Sequence, residues 1–318
     1  MRIKEYEYNS MKPKLTVRKR IVEELTRNAC IYLMALPVIL YYLIFCYGPM
    51  FGVLMAFKKF EVAKGIWGSD WVGFKYFIDF FNGEYFIRTL KNTFLISLYS
   101  ILLNFPAPII FALLLNEISS KSYKKAVQMI TYLPHFISMV VICGIIADFF
   151  ATNGVMTRFL SLFGGGNINY LGVAKFFKPI YIGTDIWQSI GWESIIYIAA
   201  LVGIDQELYE AAVIDGAGRF RQFLHITLPG ISATIVIMLI LRVGQLLNVG
   251  YEKIILLYNP STYETADVIS SYVYRRGLGE TMQYSYSTAI GLFQSVVNLI
   301  MIFAANTFSK KISDTSLF

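Results

Sequence analysis

Six helices that cross a lipid bilayer, in an all-α integral membrane protein, are predicted by three features of this sequence. Of 318 residues, 56% are hydrophobic and 15% charged, with a mean hydropathy of +0.55, whereas an ordinary soluble domain is about 25% charged. Six runs approach the roughly 20 apolar residues that a membrane-crossing helix needs. Basic residues gather in alternate loops between those runs, as they do on the inner side of a membrane. That composition excludes a disordered chain and argues against a water-soluble enzyme. The net charge of +7 fits retention of lysine and arginine at a membrane face better than nucleic-acid binding.

The elements follow in order. Residues 1–28 form a basic tail, with Arg18, Lys19 and Arg20 close to the first run at 29–55. That run is too long for a signal peptide and lacks a small-x-small cleavage site, so it is expected to stay in the mature chain. The segment 56–89 carries Trp67, Trp71, Phe74, Tyr76, Phe80 and other aromatics, as expected of a stretch anchored in the lipid interface. The second run is 90–117 and the third 127–150, joined by a loop with Lys121, Lys124 and Lys125. The fourth is 180–204 after Pro179, the fifth 231–251 after Pro229 and Gly230, and the sixth 286–308. Lys310 and Lys311 open a short tail at 310–318. The tails and the loops 118–126 and 205–230 hold the larger share of basic residues, which predicts both termini in the cytoplasm. No linker divides 29–309, so it is expected to be a single permeation domain.

Inside the runs, polar residues form stripes. At about 100° per residue, Thr93, Ser97, Ser100 and Asn104 share one face of the second run. Ser287, Gly291, Gln294 and Asn298 share one of the sixth, and Arg242, Gln245, Asn248 and Glu252 cover a broader arc of the fifth. Such seams suit either a hydrated path for a hydroxyl-rich solute or hydrogen-bonded helix packing. Serine, threonine and glycine favour packing; Asn104, Arg242, Gln245, Asn248, Gln294 and Asn298 are the pore or substrate candidates. Asp148, Asp185 and Glu193 fall near the expected helix ends, where solvation is cheap. Arg242 falls mid-run, where it must face protein or water, because arginine at the bilayer centre costs at least ~2.5 kcal/mol.

Several chemistries have no sequence support. No G-x-x-x-x-G-K-[ST] phosphate loop occurs, so ATP hydrolysis would need a partner chain. Gly164, Gly165 and Gly166 precede Asn167 in a loop and read as a turn. No G-x-S-x-G elbow is present. His135 and His225 read as a polar residue before a helix and a cation near a helix end. Cys30, Cys46 and Cys143 read as small packing residues. No metal site and no catalytic residue is assigned.

The loop 205–230 is the most informative segment. Asp205 can cap a helix through Ile214, Gly216 can take the positive φ of a turn, and a second short helix can run to Pro229. The product is a helical hairpin outside the membrane. Glu210-Ala211-Ala212, three residues, Gly216, nine residues, Ile226, one residue, Leu228-Pro229 resembles the EAA motif of permease subunits in binding-protein-dependent ABC importers. Asn104-Phe105-Pro106-Ala107-Pro108, Tyr132-Leu133-Pro134-His135, Gly191-Trp192, Leu257-Tyr258-Asn259-Pro260 and Gln283-Tyr284-Ser285-Tyr286 are similar to signatures of the LplB-like sugar permeases in the maltose-permease superfamily.

That resemblance implies the type I ABC importer permease fold, a channel-forming subunit, and import of sugars or oligosaccharides driven by ATP. Residues 205–230 would be a coupling hairpin seated on a separate ATPase. There Glu210 would make the charged contact, Ala211, Ala212 and Ala217 would allow close packing, Gly216 would shape the turn, and Asp215, Arg219 and Arg221 would offer further charges. Gln206 stands where such permeases often carry proline. Implied partners are ABC ATPase subunits holding ATP and Mg, a second homologous permease subunit, and an extracellular sugar-binding lipoprotein met by the loops 56–89, 151–179 and 252–285. The implied location is the bacterial plasma membrane. Two alternatives stay open at this point: an ATP-independent carrier using Arg242 and Asp148, and the same architecture moving an amino acid or a phosphorylated solute.

Overall fold

The computed structural model describes residue 24, residues 26–279 and residues 281–312. Most of the expected basic tail at 1–28 and of the tail at 310–318 lies outside them. By contacts the chain divides into two units, Met1–Leu54 and Met55–Phe318. In the first, α1 (Ala29–Tyr41) contains Pro37 and runs through a π turn, Tyr42–Tyr47, into a 3₁₀ stretch, Gly48–Phe57. Ala29–Phe57 is long and apolar enough to span a membrane. Its side chains before Gly52 are almost all exposed, Cys30 and Cys46 included, so these two cysteines are not core packing residues.

The second unit opens with a two-residue antiparallel ladder, β1 (Lys58–Lys59) with β2 (Asp70–Trp71), Lys58 facing Trp71. Helices α2 (Lys75–Phe81) and α3 (Glu84–Tyr99) follow; a π turn at Ser100–Asn104 joins α3 to α4 (Pro106–Asn116). Helix α5 (Lys121–Tyr132) precedes α6 (Met139–Phe150) and α7 (Val155–Ser161). Next come α8 (Ala174–Val202), α9 (Gln206–Ile214), α10 (Arg219–Gln222) and α11 (Leu228–Gly244), then α12 (Tyr251–Leu257), α13 (Ile269–Gly277) and α14 (Tyr284–Ile312). Five stretches can span a membrane by length and composition: Ala29–Phe57, Glu84–Asn116, Met139–Ser161, Arg219–Gly244 and Tyr284–Lys310. A sixth arises when α8 and α9, bent by 65°, are taken together. The all-α, six-span expectation therefore holds, with shifted boundaries.

The third expected run, 127–150, is not one helix. A 3₁₀ turn at Leu133–Phe136 contains Pro134, Ile137 is extended at φ −80° and ψ 137°, and Ser138 starts α6 by accepting from the Val141 N–H. Proline removes a donor and restricts the residue before it, so the apolar run is punctuated. The fourth helix starts at Ala174, before Pro179 rather than after it. Pro179, the sixth residue of the helix, removes the N–H bond to the Lys175 carbonyl without ending the helix. The fifth begins at Arg219 and stops at Gly244, where Gln245 leaves the helical region at φ −108° and ψ 21°. Gln245, Asn248 and Glu252 thus do not share a helix with Arg242.

Helix α8 is the hub, packed on α4, α5 and α11. Gly191 makes the α5 contact possible: a Cβ there would collide with the Thr131 carbonyl. Between lipid-immersed helices no hydrophobic force drives association, so close approach and polar contacts hold the bundle. One polar knot lies at Asp267, which is fully buried and accepts from Arg275 at 3.1 and 2.7 Å, Arg88 at 3.2 Å and Ser271 at 2.9 Å. It ties α3 to α13. Phe80 is 1% exposed and packs against Phe86, Tyr272 and Phe293, so part of the 56–89 segment is core, whereas Trp67, Trp71 and Phe74 are exposed.

Candidate functional site

The seam expected on the second run points inward, and each of its members is engaged. Thr93 Oγ1 accepts from the Ile269 N–H at 2.9 Å, and Ser97 Oγ donates to the Leu246 carbonyl. Ser100 Oγ accepts from Arg242 Nη2 at 2.6 Å, and Asn104 Nδ2 donates to Asp185 Oδ2 at 2.5 Å. Because α8 starts early, Asp185 and Glu193 lie well inside the helix, which corrects their expected position near its end. Asp185 Oδ1 is 3.3 Å from Lys253 Nζ, a side chain only 3% exposed. Glu193 Oε1 is 3.9 Å from Arg242 Nη1. A cation as buried as Lys253 persists only with a partner, and Asp185 supplies one. Asp148 is exposed on α6, with no ion pair among the described residues.

These groups surround a cavity of about 430 Å³ lined by Ser97, Ser100, Asp185, Arg242, Gln245 and Lys253, with Asn248 and Glu252 at its wall. The helix break after Gly244 puts backbone and side chains of 245–250 against this space. Arg242 and Gln245 also border a second cavity of about 620 Å³ with Trp192 and Glu193. Gln294 and Asn298 are placed differently. Gln294 Nε2 donates to the Leu247 carbonyl at 2.6 Å, and Asn298 Oδ1 accepts from the Leu247 N–H at 3.0 Å. The two amides satisfy the backbone N–H and C=O of Leu247, which lie past the end of the helix, and neither lines the cavity. A wall of paired charges, hydroxyls and amides can exchange hydrogen bonds with a hydroxyl-rich solute.

Lys253 was not singled out in the sequence, although its signal is there. Lys253, Ile254 and Leu257 are 3%, 0% and 5% exposed, a lysine in the i, i+1, i+4 pattern of a buried helix face. His135, expected as an unremarkable polar residue, stacks on Trp192 with ring centres 4.5 Å apart. Cys143 is buried, as a packing residue should be.

The second region is the hairpin. Asp205 Oδ1 accepts from the Glu207 N–H at 3.0 Å, capping α9 as expected. Gly216 has φ +74°, and the bonds Ala217 N–H to Ala212 carbonyl at 2.8 Å and Gly216 N–H to Val213 carbonyl at 3.0 Å close a Schellman turn. Tyr209 and Thr227 hydroxyls meet at 2.9 Å, and Gln222 Nε2 donates to the Ala217 carbonyl at 2.9 Å, so the two arms are tied. The second arm runs through a π turn, Phe223–Thr227, straight into α11. Glu210, Ala211, Asp215, Gly216, Arg219 and Arg221 are exposed; Ala212 and Ala217 are half-buried. Arg219 reaches Glu117 at 3.7 Å. Among the described residues Glu210, Asp215 and Arg221 have no ion-pair partner. Ile214 is 85% and Phe220 72% exposed, apolar surface of the kind that marks a protein contact.

Residues 104–314 match the family described as the binding-protein-dependent transport system inner membrane component. Protein LplB of Bacillus subtilis (strain 168) is 45% identical over 309 residues, covering 96% of this chain and 97% of that protein. The polygalacturonan/rhamnogalacturonan transport system permease protein YteP of the same organism is 42% identical over 302 residues, covering 95% and 94%. A chain in the crystal structure of a bacterial alginate ABC transporter, in complex with an alginate pentasaccharide-bound periplasmic protein, superposes with a TM-score of 0.86 at 44% identity, covering 94% of this chain and all of that one.

Proposed function

The chain belongs to the binding-protein-dependent transport system inner membrane components, and we propose that it forms one half of the translocation path of an ABC importer for oligosaccharides. It is a transport subunit rather than an enzyme. In this reading 29–309 is the permease domain and the tails at 1–28 and 310–318 are cytoplasmic. The hairpin 205–230 docks on an ABC ATPase that holds ATP and Mg. A second homologous permease completes the path, and an extracellular sugar-binding lipoprotein delivers the solute.

The exposed hairpin carries this reading. Its fold is fixed internally by Asp205, Gly216 and the Tyr209 to Thr227 contact. Among the described residues Glu210, Asp215 and Arg221 have no ion-pair partner, and Ile214 and Phe220 keep bare apolar surface, which is what an interface needs before its partner arrives. Glu210 and Arg221 make the charged contacts, Ala211, Ala212 and Ala217 allow close approach, and Arg219 and Asp215 flank the turn. ATP-driven closure of the ATPases moves the hairpin; hydrolysis resets it. Asn104, Arg242, Gln245 and Asn248 meet or shape the path, while Gln294 and Asn298 hold its wall. The oligosaccharide class is supported by the named substrates of the relatives and by the amide and hydroxyl lining.

The test is affinity purification of the chain from its native membrane, wild type beside Glu210→Ala, with identification of retained subunits and assay of ATPase activity. An ATPase and a second permease should come down with the wild type, with solute-stimulated ATPase activity about tenfold lower in the variant. A chain that purifies alone and transports at the wild-type rate as Glu210→Ala would overturn the reading.

A further inference from the structure

A separate cavity of about 570 Å³ lies between the start of α14 and the segment that carries β1 and α2, with Lys59, Tyr76, Asp79, Arg276, Tyr284 and Tyr286 among its lining residues. It shares no lining residue with the cavity around Asp185. Its size is that of a small-molecule site, about 300–1,000 Å³. The walls are aromatic: Tyr284 meets Phe60 with ring centres 6.1 Å apart, and Tyr76 meets Tyr286 at 6.4 Å. Adjacent arginines differ sharply here. Arg275 is held bidentately by Asp267. Arg276 lies 5.4 Å over the Tyr272 ring and 5.7 Å from that of Tyr85, yet has no carboxylate partner among the described residues. Ring faces hold such a guanidinium in place while its N–H edge stays free, the arrangement that takes a carboxylate in two parallel bonds. The cations Lys59 and Arg276 outnumber the one described lining carboxylate, Asp79. Met282, on the rim, holds a left-handed φ of 44°, a strain that a surrounding structure must maintain.

We propose that this cavity is a subsite for a uronate-bearing oligosaccharide: a sugar ring stacks on Tyr284, its carboxylate pairs with Arg276, and its hydroxyls donate to Asp79. The proposal rests on the oligosaccharide-import reading above and narrows it to an acidic substrate, bound before translocation. Flat apolar sugar faces suit aromatic walls, and the Arg276 guanidinium, with Lys59 beside it, favours the acidic ring over a neutral one.

The test uses the assembled transporter in lipid nanodiscs without its binding protein, with tetragalacturonate and neutral cellotetraose as probes, read by calorimetric titration. Tetragalacturonate should bind at least about tenfold tighter than cellotetraose, and Arg276→Gln should remove about tenfold of that affinity. Tyr284→Ala should weaken it several-fold. Lys59→Gln, at an exposed position that does not threaten folding, should weaken it in the same direction, and Lys121→Gln should leave it unchanged. Equal affinity for the two probes, or wild-type tetragalacturonate affinity in Lys59→Gln and Tyr284→Ala, overturns the subsite. Variants that keep tetragalacturonate affinity but lose retention of the binding protein overturn it in favour of a protein-docking surface. ATP-driven uptake by the complete system separates the two readings. Oligosaccharide uptake with unaltered binding in the variants sinks the subsite alone, whereas no uptake of either probe sinks the import reading as well.

Discussion

The two ends of the helical stretch Arg219–Gly244 present opposite chemistry. Near one end Arg242 sits among Glu193, Ser100 and the Asp185 to Lys253 pair, with its charge answered inside the chain. At the other, Arg221, Glu210 and Asp215 are exposed and have no ion partner among the described residues, beside the exposed Ile214 and Phe220. The interior end is internally satisfied because an unpartnered charge at that depth is costly. The hairpin end is solvated, so it keeps charges and apolar groups available for another surface. The same chain therefore holds an internally paired cavity and an exposed, unpaired hairpin, each with its own rules for substitution.

The sharpest way to break the contrast is at Asp185. Asp185→Leu leaves Lys253 buried and alone, and should cost about 3–5 kcal/mol, read as thermal unfolding of the detergent-solubilised chain. Asp185→Leu with Lys253→Met should recover most of that loss; a double variant as unstable as the single would show that the pair is not what holds α12 to α8. Next comes Gly216→Val, which places a β-branched residue at φ +74°, a strain of about 1–3 kcal/mol. Pull-down of the ATPase should fall with it, while Gly216→Asn, tolerant of that conformation, should retain most binding. Glu210→Ala should lower transport about tenfold with the melting temperature unmoved, because its side chain is exposed and has no ion-pair partner among the described residues. Smallest is Arg219→Gln. The Arg219 to Glu117 pair is 3.7 Å apart with side chains 90% and 65% exposed, so its loss should change stability by under about 0.5 kcal/mol, as chemical denaturation would report.

The hairpin was readable from sequence because its determinants are local. A cap at Asp205, a left-handed glycine at 216 and a fixed spacing are all set within a few residues, and each stands where the pattern puts it. The seam Thr93, Ser97, Ser100 and Asn104 was readable for the same reason, as helical periodicity alone gathers it on one face. The cavity's charge pairing was not. It depends on α8 starting at Ala174, ahead of a proline that reads as a boundary, and on α11 ending at Gly244 inside a continuous apolar run. Neither event has a strong local signal, since hydropathy does not record where a backbone exchanges its helical bonds for side-chain amides. Gln294 and Asn298 show this most plainly: their periodicity placed them on a polar stripe, but the Leu247 peptide that they bind lies on another element.

The unbroken run from the hairpin into α11 also has a mechanical consequence. From Arg219 to Arg242 the chain climbs about 35 Å at 1.5 Å per residue, so under the proposed coupling it would act as a lever between the hairpin and the cavity. A tilt of about 5° over that length displaces the far end by about 3 Å, close to the 3.9 Å that separates Arg242 from Glu193. On that reading a small displacement of the hairpin by a partner would be enough to open the Arg242 to Glu193 contact at the cavity wall. The π turn at Phe223–Thr227 is the joint where that stroke would be softened or passed on.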